Sequence, residues 1–325
     1  MSSLSTPPSS SNSEREWKLI EKLLGQAQDE HRKARRWGIF FKLLTFGYLF
    51  IVLFMVLANR AGLSEPGAAK PHVGVVDISG MIAPDQDASA DLLAAGLRRA
   101  FEAENSKAVL LRINSPGGSP VQSNQVYREI TRLRALHPDK PVFAVITDVG
   151  ASGAYFIASA ADDIYADPAS IVGSIGVIMG GFGVEEAARK LGVERRLYTS
   201  GDNKAMLDPF APENPEHVRH VQTMLDEIHQ QFIDAVRAGR GDRLNDAYES
   251  ELFSGLFWTG ERSLELGLVD GLKSPGQVIR EVMELEDSVN YTVSRSPFEE
   301  FVRRFGMSIG AGIANSLGME SFTLR

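Results

Sequence analysis

Two short stretches place reactive side chains where a hydrolase would need them. The first, Asp148-Val149-Gly150-Ala151-Ser152-Gly153-Ala154-Tyr155, sets a serine on a glycine-flanked turn. The second, Ser200-Gly201-Asp202-Asn203-Lys204 with Ala205-Met206-Leu207-Asp208-Pro209-Phe210 behind it, sets a lysine among apolar residues. A serine hydroxyl is a poor nucleophile until a base takes its proton. Histidine is the usual base, but none of the six histidines has an evident catalytic setting. His31 precedes an apolar run, His72 lies in a linker, His137 precedes Pro138, and His217, His220 and His229 share one long helical segment. His217 and His220 fall on one face at i, i+3, but no third residue is spaced to close a metal site, so neither metal nor cofactor is expected. The chain has no cysteine, which excludes thiolate catalysis, disulfides and Cys-ligated zinc together. Lysine can replace histidine only when neutral. Burial must then lower an ordinary lysine pKa of ~10.4 by about three units. The apolar residues after Lys204 could build such a pocket, provided Asp202 and Asp208 point elsewhere, since a carboxylate touching the amine favours its charged form.

Taken alone, Ser152 has a plainer reading as the cap of the helix that follows. Gly150-Ala151-Ser152-Gly153-Ala154 also misses the G-x-S-x-G elbow, because Ala154 stands at the last glycine. A third piece bears on the choice. Ser115-Pro116-Gly117-Gly118 ends a buried strand, and paired glycines free backbone N–H groups to face a ligand. The N–H groups of Gly118 and Gly153 could together form an oxyanion hole; a mere tight turn is the alternative.

These pieces need a scaffold. From Val73 the chain alternates strand and helix: strands at Val73–Ile78, Ala108–Ile113, Pro141–Thr147 and Asp163–Ala166, with helices from Ser89 or Asp91 to Phe101, from Pro120 behind a Ser119 cap, and over Gly153–Ala161. Further strands are expected at Ile175–Met179 and Glu194–Tyr198, and helices at Glu185–Leu191, Pro215–Gly239, from Thr259, and over Pro275–Leu285. The rhythm predicts an α/β fold with a largely parallel sheet. Ligands gather at the C-terminal strand ends of such sheets, where both glycine turns fall.

Ahead of this domain, residues 38–58 read GIFFKLLTFGYLFIVLFMVLA, enough to span a bilayer. Arg32, Lys33, Arg35 and Arg36 precede the run, so the positive-inside rule puts the N-terminus in the cytoplasm and the rest of the chain outside; a cleaved signal peptide would need an unusually long n-region. The expected division is a cytoplasmic segment over 1–37, disordered at its Ser/Pro-rich start, the membrane helix over 38–58, a linker over 59–72, the catalytic domain over 73–290 and a tail over 291–325. A net charge of −8 gives no electrostatic reason to bind nucleic acid.

Together, Asn114-Ser115-Pro116-Gly117-Gly118, Gly150-Ala151-Ser152-Gly153-Ala154-Tyr155, Val172-Gly173-Ser174-Ile175-Gly176-Val177 and Ser200-Gly201-Asp202-Asn203-Lys204 with Pro209-Phe210 resemble the signal peptide peptidase A family of membrane-anchored serine peptidases. The likeness runs from Val73 to Leu272. It implies a Clp-protease/crotonase-like repeated ββα spiral, with Ser152 as nucleophile, Lys204 as general base, Ser174 as a hydroxyl orienting Lys204, and Gly118 and Gly153 as the oxyanion hole. It further implies a homo-oligomeric ring or dome, an octamer among the options, whose dyads can be completed between chains. The implied location is a bacterial inner membrane, with the catalytic domain on the outer, periplasmic side. The implied substrates are cut signal peptides left in the membrane. The family's usual Ser-Gly-Gly-Tyr is Ser152-Gly153-Ala154-Tyr155 here, which adds one methyl and removes no reacting group. A broader quality-control protease for membrane proteins, an acyl-CoA hydratase or isomerase of the crotonase type, and a non-catalytic membrane scaffold are the alternatives.

Overall fold

The computed structural model describes residues 35–54 and 70–295, in two compact units divided after Glu65. In the first unit, helix α1 (Arg35–Phe54) is 20 residues long with a mean hydropathy of 1.9 and no buried residue. At 1.5 Å per residue it reaches about 30 Å, the thickness of a hydrocarbon core. Its Thr45 hydroxyl donates to Phe41 O (2.8 Å), so this polar group is satisfied within the helix. The helix overlaps the expected span. Residues 55–58 of that span, the charged segment before 35, the linker as far as 69 and nearly all of the tail lie outside the described residues.

Among the described residues, the second unit is built on eight strands. In chain order the elements are β1 (His72–Ser79), α2 (Ala90–Glu102), β2 (Ser106–Ser115), α3 (Pro120–Leu136), β3 (Val142–Ala151), α4 (Gly153–Ala158), β4 (Asp163–Ala166), β5 (Ile171–Gly173), α5 (Glu185–Lys190), α6 (Pro215–Arg240), α7 (Glu249–Leu252), β6 (Phe257–Thr259), α8 (Gly260–Glu265), β7 (Gly271–Leu272), α9 (Pro275–Gln277) and β8 (Ser288–Asn290). The sheet runs β6-β5-β3-β2-β1-β8, with β4 also on β3 and β7 on β4. Every pairing is parallel except β5 with β6. This is the mainly parallel α/β arrangement expected from the sequence.

Strand periodicity explains the layers. Val109, Leu111 and Ile113 of β2 and Val142, Ala144 and Ile146 of β3 join the larger core with α2, α3, α4 and the end of α6. The alternate residues Ala108, Leu110, Phe143 and Val145 join a smaller core closed by Val278 and the residues after it. Both faces of β1 to β3 are thus buried along much of their length, and their sequences read as continuous apolar runs. Ser119 caps α3 by accepting from Gln122 N, and Pro120 holds the first helical position.

Strand β3 has two different neighbours on one edge. Phe143 to Ile146 pair with β4, whereas Val149 to Ala151 pair with β5. The handover falls just before Ser152.

Two expected strands do not form. Ile175–Met179 is irregular because Gly173 and Ser174 take left-handed φ angles of 105° and 53° and turn the chain off the sheet; the strand beside β3 is Ile171–Gly173 instead. Glu194–Tyr198 has no strand beside it, and β-propensity without a partner makes no strand. The expected helix over Pro275–Leu285 is one short turn followed by a π-helix at Val278–Val282.

One contact between helices gives a pH test. Glu129 of α3 accepts from Arg132 (2.8 Å) and from Arg98 of α2 (2.6 Å). The bond from Arg132, followed by that from Arg98, holds its carboxyl down to about 2 against burial. The unfolded chain binds this proton more readily, so the pair stabilises the fold above the ordinary value of 4.5 and loses that effect as pH falls toward 2. The arginines are half-exposed, so the expected contribution is ~1 kcal/mol or less. Urea unfolding of wild type and Glu129→Gln should differ by a constant amount at neutral pH, with the gap closing below pH 4.5.

Candidate active site

Ser152 joins β3 to α4 at φ 52° and ψ −126°, a conformation that non-glycine residues rarely adopt. Its N–H donates to Gly173 O (2.8 Å), and its own carbonyl accepts from Phe156 N (3.0 Å). The turn is therefore fixed on both sides. It makes no side-chain cap of α4, so the plainer reading of Ser152 does not describe it. Holding a serine at such angles costs ~1–3 kcal/mol. Ser152→Gly is thus expected to be more stable than Ser152→Ala by about 1 kcal/mol in urea unfolding, because glycine accepts positive φ freely. Equal stability of the two would show that the turn is not strained.

The Gly117-Gly118 loop lies directly against this turn. A Cβ on Gly117 (φ 96°) would stand 2.7 Å from Gly153 N and 2.8 Å from Ser152 Cβ, closer than any side chain allows. Gly118 N is 3.3 Å from where a Cβ on Gly153 would stand. Ile82 holds the loop there, donating to Gly117 O (2.9 Å) and accepting from Ser119 N (2.8 Å). Among the described residues, neither the Gly118 nor the Gly153 N–H donates to a protein acceptor. Two N–H donors without a protein acceptor thus lie beside the strained serine, an arrangement able to hold an oxyanion.

α4 anchors the turn from behind. Tyr155 is wholly buried, its hydroxyl donates to Leu268 O (2.7 Å), and burial pushes its phenol well above the ordinary range, so it stays a neutral donor.

Ser174 follows β5 directly, and its N–H donates to Leu256 O (2.7 Å). The same β5 end thus carries Gly173 O, the partner of Ser152 N–H, and Ser174. His229 of α6 donates from Nε2 to Ile175 O (3.0 Å), which fixes the next residue in turn.

Lys204 lies on an exposed arm between Ser174 and α6 and is itself exposed. No hydrogen bond or ion pair joins its side chain to Ser152 or Ser174 among the described residues. The apolar pocket expected around it is only partly present, as half-buried Ala205 and Met206. Its two acidic neighbours do stay clear of it. Asp208 is committed to Arg195 (2.9 Å) and to Phe210 N (3.1 Å), and Asp202 is exposed without an ion pair among the described residues. Arg195 also lies over the Phe210 ring at 5.1 Å, so the arm is held together internally. The residue beside the lysine, Asn203, accepts from His217 Nε2 (3.1 Å), which docks the arm on the first turn of α6. His217 and His229 were visible only as helix polarity; their role as tethers depends on carbonyl and amide partners far away in sequence.

No group of three His, Asp or Glu side chains suited to a metal ion occurs among the described residues.

A mainly parallel sheet with a strained serine turn at a strand end fits the Clp-protease-like class. The model of peptidase family S49 matches residues 134–289, which include Ser152, Ser174 and Lys204. A provisionally named protease of Methanocaldococcus jannaschii is 31% identical over 217 residues, 66% of this chain and 68% of that protein. Protease 4 of Haemophilus influenzae is 31% identical over 220 residues, 66% of this chain and 34% of its own length. A Brucella melitensis protein named Na(+)/H(+) antiporter NhaA is 52% identical over 176 residues, 54% of this chain. The match spans 24% of that relative's length, so most of the Brucella protein has no counterpart in it. The chain belongs to peptidase family S49, the signal peptide peptidase A family.

Proposed function

We propose that this chain is a membrane-anchored serine endopeptidase in which Ser152 is the nucleophile and Lys204 the general base. The observation that carries the reading is the strained Ser152 turn set against the two unengaged N–H groups of Gly118 and Gly153. Neutral Lys204 takes the Ser152 proton, and the alkoxide attacks a peptide carbonyl. The Gly118 and Gly153 N–H groups hold the oxyanion, and protonated Lys204 then gives its proton to the leaving amine. Water hydrolyses the acyl-enzyme. Ser174 orients the lysine.

In a single chain Lys204 is open to water, whereas a lysine base needs cover from it. A homo-oligomer, a ring or dome of copies, supplies the missing cover and brings the arm to a Ser152. Exposed apolar residues along and beside the arm support this: Ile178 is 95% exposed, Phe182 89% and Tyr198 90%. Large apolar side chains left this open to water suit burial against another copy. Helix α1 ties the enzyme to an inner membrane with the catalytic domain on the outer side, as the cationic flank of the apolar run supports. Cut signal peptides left in the bilayer are the proposed substrates, and broader turnover of membrane proteins uses the same chemistry.

The test uses the full chain in detergent micelles with an apolar peptidyl fluorophosphonate. The expected adduct is on Ser152, formed as fluoride leaves, with turnover of a fluorogenic apolar peptide lost in proportion. Labelling elsewhere, or turnover that survives full labelling of Ser152, overturns the assignment.

A further inference from the structure

Strand β3 loses its ladder on both edges at one place. Toward β4 and β5 the paired residues jump from Ile146 with Ala166 to Val149 with Ile171. Toward β2 they jump from Ile113 with Ile146 to Ser115 with Gly150. Thr147 and Asp148 therefore form an irregular bend without ladder partners on either edge, and Ser152 follows shortly after it.

Side chains replace the missing ladder bonds. Ser170 is 1% exposed, and its hydroxyl is shared between Ile146 O (3.1 Å) and Thr147 O. The same oxygen accepts from Asp167 N (3.1 Å). On the opposite edge the Thr147 hydroxyl donates to Ile113 O (3.1 Å), and Asn114 Nδ2 donates to Asp148 Oδ2 (2.7 Å). Ile146 O also accepts from Asp167 N (3.4 Å), so the hydroxyls add to a sparse set of bonds around the bend and help fix where it sits.

Ser170 also stands directly before β5, a strand of three residues. The far end of that strand supplies Gly173 O to the Ser152 N–H (2.8 Å) and continues into Ser174. Displacement at Ser170 thus passes to the nucleophile by two routes, along β3 and along β5. A misplacement of about 1 Å at a reacting atom lowers a rate about 100-fold.

We propose that Ser170 and Thr147 are positioning residues of the Ser152 centre: their hydroxyls, one on each edge of β3, fix the bend that sets the nucleophile turn. This rests on Ser152 being the nucleophile.

The full chain in micelles is compared with Ser170→Ala, Ser170→Thr and Thr147→Val. Steady-state turnover, fluorophosphonate labelling of Ser152 and thermal unfolding are measured well below each melting temperature. For Ser170→Ala and Thr147→Val, kcat per folded molecule is expected to fall about 10–100-fold while KM stays within about threefold, with labelling slowed in parallel. Ser170→Thr, which keeps the hydroxyl, is expected to recover most of the loss. A purely structural role would lower the melting temperature and leave both rates per folded molecule within about twofold of wild type; that result overturns the proposal. Should Ser170→Ala fail to fold, Thr147→Val decides by the same criterion. Wild type that takes no label at Ser152 overturns the nucleophile assignment and this proposal together; a labelled wild type with variants labelled at its rate overturns this proposal alone.

Discussion

Lys204→Ala is expected to abolish peptide hydrolysis nearly as completely as Ser152→Ala, and the double variant to be no worse than either. Nucleophile and base act as one unit: without the base the hydroxyl stays protonated, and without the hydroxyl the base has nothing to activate. Losses of this kind do not add, and single removals in comparable centres cost on the order of 10⁵-fold or more in kcat. The residual rate should come from the Gly118 and Gly153 donors alone. Neither substitution should affect folding greatly. Ser152→Ala keeps the turn and its backbone bonds, and Lys204 is exposed without an ion pair among the described residues. A base lysine works only in its neutral form, so wild-type kcat/KM should rise toward alkaline pH. A flat profile from about pH 6 to 10, with chemistry limiting, counts against Lys204. Most decisive is Lys204→Ala with near wild-type turnover of an apolar fluorogenic peptide; some other base would then serve Ser152, and the dyad would be wrong even for a peptidase. Mixing the two inactive chains adds a further reading. Recovered activity would place the working serine and lysine on different copies.

The parts of the site that were legible in the sequence are those held by local rules. Gly117 and Gly118 announce a turn because only glycine fits φ 96° against Gly153 N. Apolar runs such as Ala108–Ile113 announce a strand buried on both faces. Ser119-Pro120 announces a helix start, and α3 begins there. What stayed hidden depends on partners distant in sequence. Ile175–Met179 has strand composition, yet the left-handed Ser174 before it removes the segment from the sheet. The handover of β3 from β4 to β5 left no compositional trace, because Thr147 and Ser170 are ordinary residues until their hydroxyls meet carbonyls at the handover. Lys204 stands out in the sequence by motif alone, and the apolar pocket expected around it is only partly present.

Arg240 was also unreadable as a core residue, and it supports the second large effect. The C-terminal end of α6 is buried, and Arg240 lies there with its side chain 1% exposed. It donates to both oxygens of Asp270 (2.6 and 2.9 Å) and to Gly267 O (2.9 Å). Asp270 also accepts from Ile164 N (2.7 Å), while its own N–H donates to Ile164 O (2.6 Å), so the pair locks α6 to β4 and β7. Burial pushes the Asp270 carboxyl up, but the bonds from Arg240 and Ile164 N–H outweigh it and hold the group below its ordinary value. Truncating Asp270 leaves the buried Arg240 charge without its carboxylate, and truncating Arg240 leaves Asp270, among the described residues, with only the longer ion-pair contact from Arg243 (3.3 Å). Arg240→Met and Asp270→Leu are therefore each expected to lose ~3–5 kcal/mol of stability, a large fraction of what a domain has. Arg240→Met/Asp270→Leu together should cost far less than the sum, because no lone charge remains. Since the carboxyl is held low, the ion pair's contribution persists above the ordinary carboxylate range and fades as pH falls through the lowered value. Urea unfolding of the four chains at neutral pH and across the acid range measures both effects; additive single losses, or singles within about 1 kcal/mol of wild type, would mean that the charges reach water and the lock is not buried. The same lock bears on the site, because Tyr155 of α4 donates to Leu268 O two residues from Asp270. Slippage there would loosen the helix that backs Ser152, so the singly truncated chains should lose catalytic rate before they lose their fold.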